Sequence, residues 1–190
     1  MRFIHIPKTG GTSIVNALGL SSGKVKKHGK YGKGGGRYRG GHDILCEYVP
    51  NTFTVVRNPF DRLVSSFCYA KTKNSFHYKE HPYYEYIANC DFERFVEILP
   101  EFEGMFQLRP QSDYIYDDKN NLLVDHVLRY ETLQKDFNKF WDIKLPHLNK
   151  SDRHKDWRKY YNKNTIKPVY EFYKRDFKNF NYDTETKRLW

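Results

Sequence analysis

Residues 2–18, RFIHIPKTGGTSIVNAL, place a β-branched and aromatic run before a helical one, with Lys8 and two glycines between them. Arg2 to Ile6 reads as a strand, and Ile14, Ala17 and Leu18 recur at helical spacing behind Thr12 and Ser13. The implied order is strand, tight glycine turn, then a helix starting at Thr12. A helix start offers unpaired backbone N–H groups and the positive end of its macrodipole, and Gly10 and Gly11 let an oxyanion approach the backbone. Lys8 adds a point charge, and the hydroxyls of Thr9, Thr12 and Ser13 add donors. The turn therefore reads as a site for a phosphate or a sulfate. It departs from the Walker A pattern GxxxxGK[ST], because the lysine precedes the glycines and no residue stands in the usual magnesium-binding place. A metal-dependent NTP hydrolase is disfavoured.

A second junction of the same kind follows at residues 52–67, TFTVVRNPFDRLVSSF. Thr52 to Val56 reads as a buried strand that ends at Arg57. A helix starts at Pro59, whose fixed φ and missing N–H suit a first turn. Phe60, Leu63, Val64 and Phe67 form its apolar stripe, and Ser65 and Ser66 lie on it. Ligands of parallel sheets bind at the carboxyl ends of strands, so both junctions are expected to face one crevice. Two anion sites in one crevice suit a ligand with two separated anionic groups.

Further helices are expected at Tyr83 to Ala88, Phe92 to Leu99, Glu131 to Trp141 and Thr165 to Phe177, and a strand at His126 to Arg129. A polar hairpin is expected from Ser112 to Tyr116 and Leu122 to Val124 around DDKNN. Strands alternating with helices give an α/β fold, a three-layer domain with a central, largely parallel sheet flanked by helices. No internal repeat or linker divides the 190 residues, which read as one domain over 1–190.

Composition sets the outer limits. Hydrophobic residues are 38% and aromatics 17%, enough for a packed core. No stretch approaches the ~20 apolar residues of a membrane span, and Lys8 and the glycines interrupt any signal-peptide core. Cys46, Cys68 and Cys90 are odd in number and form no CxxC pair, which points to isolated thiols in a reducing, cytoplasmic setting. Residues 23–41, GKVKKHGKYGKGGGRYRGG, carry seven of the net +10 charges and eight of the twelve glycines. This reads as a flexible basic loop whose field attracts phosphate, sulfate, acidic polysaccharide or nucleic acid.

HIPKTGGTSI and FTVVRNPFDRLVSSF resemble the two cofactor-binding motifs of the cytosolic and Golgi sulfotransferase superfamily. They are similar, more narrowly, to the carbohydrate branch that includes the heparan and chondroitin O-sulfotransferases. GGHDIL, LRPQSDYI, VDHVLRYETLQKDF, PHLNKS and the segment YYNKNTIKPVYEFYKRDFKNFNYD resemble later family elements in order and spacing. The resemblance implies a P-loop-like fold and a donor, 3′-phosphoadenosine 5′-phosphosulfate (PAPS), with 3′,5′-ADP (PAP) as product and no metal. It implies that Lys8, Thr9, Gly10, Gly11, Thr12 and Ser13 hold the 5′-phosphosulfate, and Arg57 and Ser65 the 3′-phosphate. Leu148 and Ser151 are expected to close over the adenosine. Lys8 and His42 are the expected catalytic groups, Lys8 at the leaving oxygen and His42 as base toward the acceptor hydroxyl. Gln111 is expected at the acceptor side, and Arg37 and Arg39 are expected to grip an acidic acceptor, a glycan by analogy with the branch.

Three other readings compete. The basic loop with Tyr31 and Tyr38 suits a nucleic-acid-binding module, although no recognised RNA-binding motif accompanies it. A nucleotide kinase would share the phosphate turn but needs a magnesium site that the sequence does not offer. HYKEH, at 77–81, fits an inverted zinc-protease pattern, but Pro82 would interrupt the metal-bearing helix.

Overall fold

The computed structural model describes residues 1–20, 44–72, 84–102, 105–148 and 152–184. Among them the chain runs through β1 (Arg2–Ile4), α1 (Gly11–Ala17), β2 (Thr52–Val56), α2 (Pro59–Ala70), α3 (Tyr84–Asn89) and α4 (Phe92–Glu97). It continues through α5 (Ser112–Ile115), β3 (His126–Arg129), α6 (Leu133–Phe137), α7 (Lys163–Phe172) and α8 (Lys174–Asn179). Single 3₁₀ turns occupy Leu99–Phe102, Tyr130–Thr132 and Trp157–Tyr160. The contacts group into two compact units, Met1–Arg57 with Pro110–Asn149, and Asn58–Arg109 with Lys150–Trp190.

The first unit holds a three-stranded parallel sheet in the order β1-β2-β3. Phe3 pairs with Phe53, Thr54 with Val127 and Val56 with Arg129. β2 is central, and all five of its residues are buried, as an unbroken β-branched and aromatic run should be. Phe3, Ile14, Phe53, Val55, Leu128 and Phe137 form a core that joins the sheet to α1 and α6. Trp141 seals it, with ring centroids 4.5 Å from Phe137 and 4.8 Å from Phe53. Asp125 ties the strand starts together by accepting from the Thr52 N–H at 2.8 Å and from the Tyr48 hydroxyl.

The second unit is built on α2. Asn58 caps it by accepting from the Phe60 and Asp61 N–H groups, with Pro59 at the first helical position. Phe60, Leu63, Val64 and Phe67 are buried, as the apolar stripe requires. Phe60 packs on Phe177 and Tyr161, and Phe67 packs on Phe92 and Phe95. Asn162 and Thr165 form a reciprocal capping box at the start of α7. No helix among the described residues is long and apolar enough to cross a membrane.

The fold is thus α/β with a parallel sheet and helices, as the alternation of elements predicts, and several boundaries differ. β1 stops at Ile4 because the chain turns at Pro7, where the Thr9 hydroxyl donates to the Ile6 carbonyl at 2.8 Å. Ser112 to Ile115 is a helical turn rather than a hairpin strand. Tyr114 and Ile115 are adjacent and both fully buried, which the alternating faces of a half-exposed strand forbid, and one antiparallel bridge, Tyr116 to Leu122, remains. The helix expected over 131–141 is a 3₁₀ turn followed by the shorter α6. The helix expected over 165–177 divides at Tyr173, which is buried and donates its hydroxyl to the Leu108 carbonyl at 2.7 Å.

Candidate functional site

Lys8, Arg57 and Tyr130 all follow the carboxyl ends of adjacent parallel strands, which end at Ile4, Val56 and Arg129. This is where open parallel sheets place their ligand sites. The register of the sheet brings the three residues together although they are far apart in sequence.

The turn after β1 is left-handed at two places, Lys8 with φ 67° and Gly10 with φ 86°. A lysine in this region is strained by about 1 kcal/mol or more, and such strain gathers at functional loops. Arg57 grips that residue, its Nη1 donating to the Lys8 carbonyl at 3.1 Å. The Arg57 guanidinium also lies over the Tyr130 ring, 3.9 Å from the centroid, and only 5% of the residue is exposed. Its main chain is held in turn by Gln111, whose amide accepts from the Arg57 N–H at 2.9 Å and donates to the Arg57 carbonyl at 2.8 Å.

The two glycines have distinct neighbours. A methyl group on Gly10 would stand 3.1 and 3.2 Å from two edge carbons of Tyr130, and its φ already disfavours a side chain. A methyl on Gly11 would stand 2.0 Å from Nε2 of His5, so the imidazole fills the space that glycine leaves. The His5 ring stacks in turn on Phe3 of β1, with centroids 5.4 Å apart. Close approach is thus needed at both glycines for packing against aromatic rings, beside the ligand access expected from the sequence.

The remaining expected site residues divide by position. Thr9 is fully buried and its hydroxyl donates to Ile6, whereas Thr12 on the first turn of α1 is exposed. The Ser13 hydroxyl accepts from the Leu148 N–H at 3.3 Å, which brings the segment before residue 149 against α1. The Gln111 amide, expected at the acceptor side, is engaged with the main chain of Arg57. Ser65 is buried on α2 in the second unit, where Asp61 pairs with Arg153 at 2.7 Å and Arg62 donates to the carbonyls of Arg109 and Gln107. His42, Arg37, Arg39 and Ser151, with HYKEH at 77–81, lie outside the described residues.

His5 and Tyr130 are the residues of this site that the sequence reading does not single out. The signal for Tyr130 was its place directly after β3, the position that Arg57 holds after β2.

The donor set suits an extended anionic ligand. Two cationic residues at adjacent strand ends are joined through a backbone carbonyl, and a guanidinium has five N–H donors, enough to hold a carbonyl and an anion together.

A family model described as the sulfotransferase family matches residues 1–183. The chain belongs to the sulfotransferase family. The match runs through both compact units and includes the turn after β1, Arg57 and the 3₁₀ turn that bears Tyr130. Comparison with curated proteins and with solved structures gives no match. Membership makes the protein a transferase of sulfuryl groups that draws on PAPS as donor.

Proposed function

We propose that this sulfotransferase moves the sulfuryl group of PAPS to an acceptor hydroxyl by in-line displacement, on a carbohydrate, and that residues 1–190 act as one catalytic domain. The observation that carries the reading is the link between Lys8 and Arg57. The residue proposed for the 5′-phosphosulfate and the residue proposed for the 3′-phosphate sit on adjacent strand ends, joined by one hydrogen bond.

In this scheme the acceptor oxygen bonds to sulfur as the bond from sulfur to the bridging oxygen breaks, and PAP departs. Negative charge grows on that bridging oxygen, where Lys8 stabilises it with the turn formed by Thr9, Gly10, Gly11, Thr12 and Ser13. His42 takes the proton of the acceptor hydroxyl, a contribution worth about 10²- to 10⁴-fold in rate. Arg57 and Ser65 hold the 3′-phosphate, and Leu148 and Ser151 border the adenosine. Arg37 and Arg39 in the basic segment favour an acidic glycan, with Gln111 supporting the site through Arg57. No step calls for a metal.

The test is thermal stabilisation by PAP without metal, followed by transfer of labelled sulfate from PAPS to a panel of desulfated polysaccharides. A ligand at 100 times its Kd adds about 2.7 kcal/mol of stability, an easily measured shift. Stabilisation by PAP that is lost in Lys8→Ala and Arg57→Ala, with label on a polysaccharide, supports the proposal. Stabilisation by ATP with magnesium and none by PAP would instead favour phosphoryl transfer.

A further inference from the structure

Arg57 donates from its guanidinium to the Lys8 carbonyl, and the same guanidinium lies over the Tyr130 ring. The guanidinium carbon lies 3.9 Å from the ring centroid. The edge of the same ring lies 3.1 to 3.2 Å from where a side chain on Gly10 would begin. Tyr130 therefore touches both halves of the site, the arginine after β2 and the glycine turn after β1. Its neighbours in sequence are tied to the sheet and to the turn. The residue before it pairs with Val56 in the sheet, the Arg129 N–H donates to Asp136 at 3.3 Å, and Leu133 packs on the same glycine.

We infer that Tyr130 is a positioning residue: its ring holds the Arg57 guanidinium against the Lys8 carbonyl, so that the 3′-phosphate and phosphosulfate positions are set as one unit. The inference rests on the PAPS reading of Arg57. A long arginine side chain without such a ring samples several rotamers, and that freedom is lost only when ligand binds. A ring face attracts a guanidinium electrostatically, and the contact holds best where water is excluded. With Arg57 only 5% exposed, this contact is of the sheltered kind. The ring thereby prepays the ordering that a 3′-phosphate needs.

The experiment compares the affinity of PAP with that of adenosine 5′-phosphate, which lacks the 3′-phosphate, by calorimetry. The ratio of the two isolates the contribution of the 3′-phosphate site, proposed above as Arg57 with Ser65, because both ligands meet the glycine turn. Tyr130→Leu is expected to shrink the ratio by about 3- to 30-fold, the range of a cation–π contact. Tyr130→Phe, which keeps the ring face, is expected to leave it within about 3-fold of wild type. In an Arg57→Ala background, Tyr130→Leu is expected to change PAP affinity by less than about 2-fold, since its target is gone. An unchanged ratio in Tyr130→Leu, or an equal further loss on Arg57→Ala, overturns the inference while leaving the donor reading intact. A wild type that binds PAP no better than adenosine 5′-phosphate overturns the donor reading of Arg57, and the inference with it. If Tyr130→Leu fails to fold, a trifluorinated phenylalanine in place of Tyr130 supplies the same shape with a weakened ring face. A reduced ratio then supports the inference and an unchanged one overturns it.

Discussion

Gln111 closes its amide on the main chain of Arg57, with one bond of 2.9 Å into the amide oxygen and one of 2.8 Å out of the amide nitrogen. The amide does for Arg57 what another strand neighbour would do, satisfying both main-chain groups just where β2 has ended. Gln111 is fully buried, so an apolar side chain there leaves an N–H and a carbonyl without their partner. Each unsatisfied group costs about 1–3 kcal/mol. Gln111→Leu is expected to destabilise by about 2–4 kcal/mol, measured by chemical denaturation, and to weaken PAP binding. A loss below about 1 kcal/mol would show that this main chain is held by other contacts.

The imidazole of His5 explains why position 11 is glycine, and a paired substitution tests it. Gly11→Ala places a methyl 2.0 Å from Nε2, so the ring or the turn must move, at about 1–3 kcal/mol. Alanine at this helical position is otherwise favoured over glycine. His5→Ala combined with Gly11→Ala is therefore expected to be more stable than the two single effects summed, by more than about 0.5 kcal/mol. Strict additivity would mean that the ring is not the obstacle. Gly10 offers no such rescue, because its φ of 86° strains any side chain whatever the neighbour.

The two strand-turn-helix junctions were legible because their signals are local. A β-branched run, a glycine pair and a proline at the first helical position each act within a few residues. Tyr130, His5 and the clamp by Gln111 were not, since their contacts follow from the parallel register of β1, β2 and β3, which no local spacing encodes. The hairpin expected at 112–124 failed for a related reason. Ser112 to Ile115 is polar enough to read as an exposed strand, yet burial of neighbouring Tyr114 and Ile115 in the core decided for a helical turn. The role of a polar group in the glycine turn is equally hard to read locally: the Thr9 hydroxyl donates to the Ile6 carbonyl, where it shapes the turn.

In the second unit, Asp61 and Arg153 form a pair whose side chains are 12% and 10% exposed. A surface pair contributes at most about 1 kcal/mol, whereas breaking a buried one costs about 3–5. At a tenth exposed the expectation falls between these limits, about 2 kcal/mol for Arg153→Met. Asp61→Asn combined with Arg153→Met is expected to recover part of that loss, since no buried carboxylate is then left without its guanidinium. Denaturation of the three variants at low and high salt checks this, and strong weakening of the pair by salt would place it among the exposed kind.

Asp125 gives the first unit a pH dependence whose sign is fixed by its donors. The Tyr48 hydroxyl, the Thr52 N–H at 2.8 Å and the Thr52 hydroxyl at 3.3 Å all donate to its carboxylate. Tyr48 contributes most, and together these bonds hold the carboxyl below its ordinary range, while the same bond pushes the Tyr48 phenol up. A folded form with the lower value binds fewer protons than the unfolded chain. The contribution is therefore fully present above the ordinary carboxylate value of about 4 and is lost as pH falls through the depressed one. For Tyr48 the sign is reversed: its share is present below about 10 and disappears as pH rises through the raised value. Melting temperatures of wild type and Asp125→Asn are thus expected to differ most near neutrality and to converge below about pH 4. A gap that stays constant from pH 3 to 7 would mean that shape and hydrogen bonding, rather than the charge of Asp125, anchor the starts of β2 and β3.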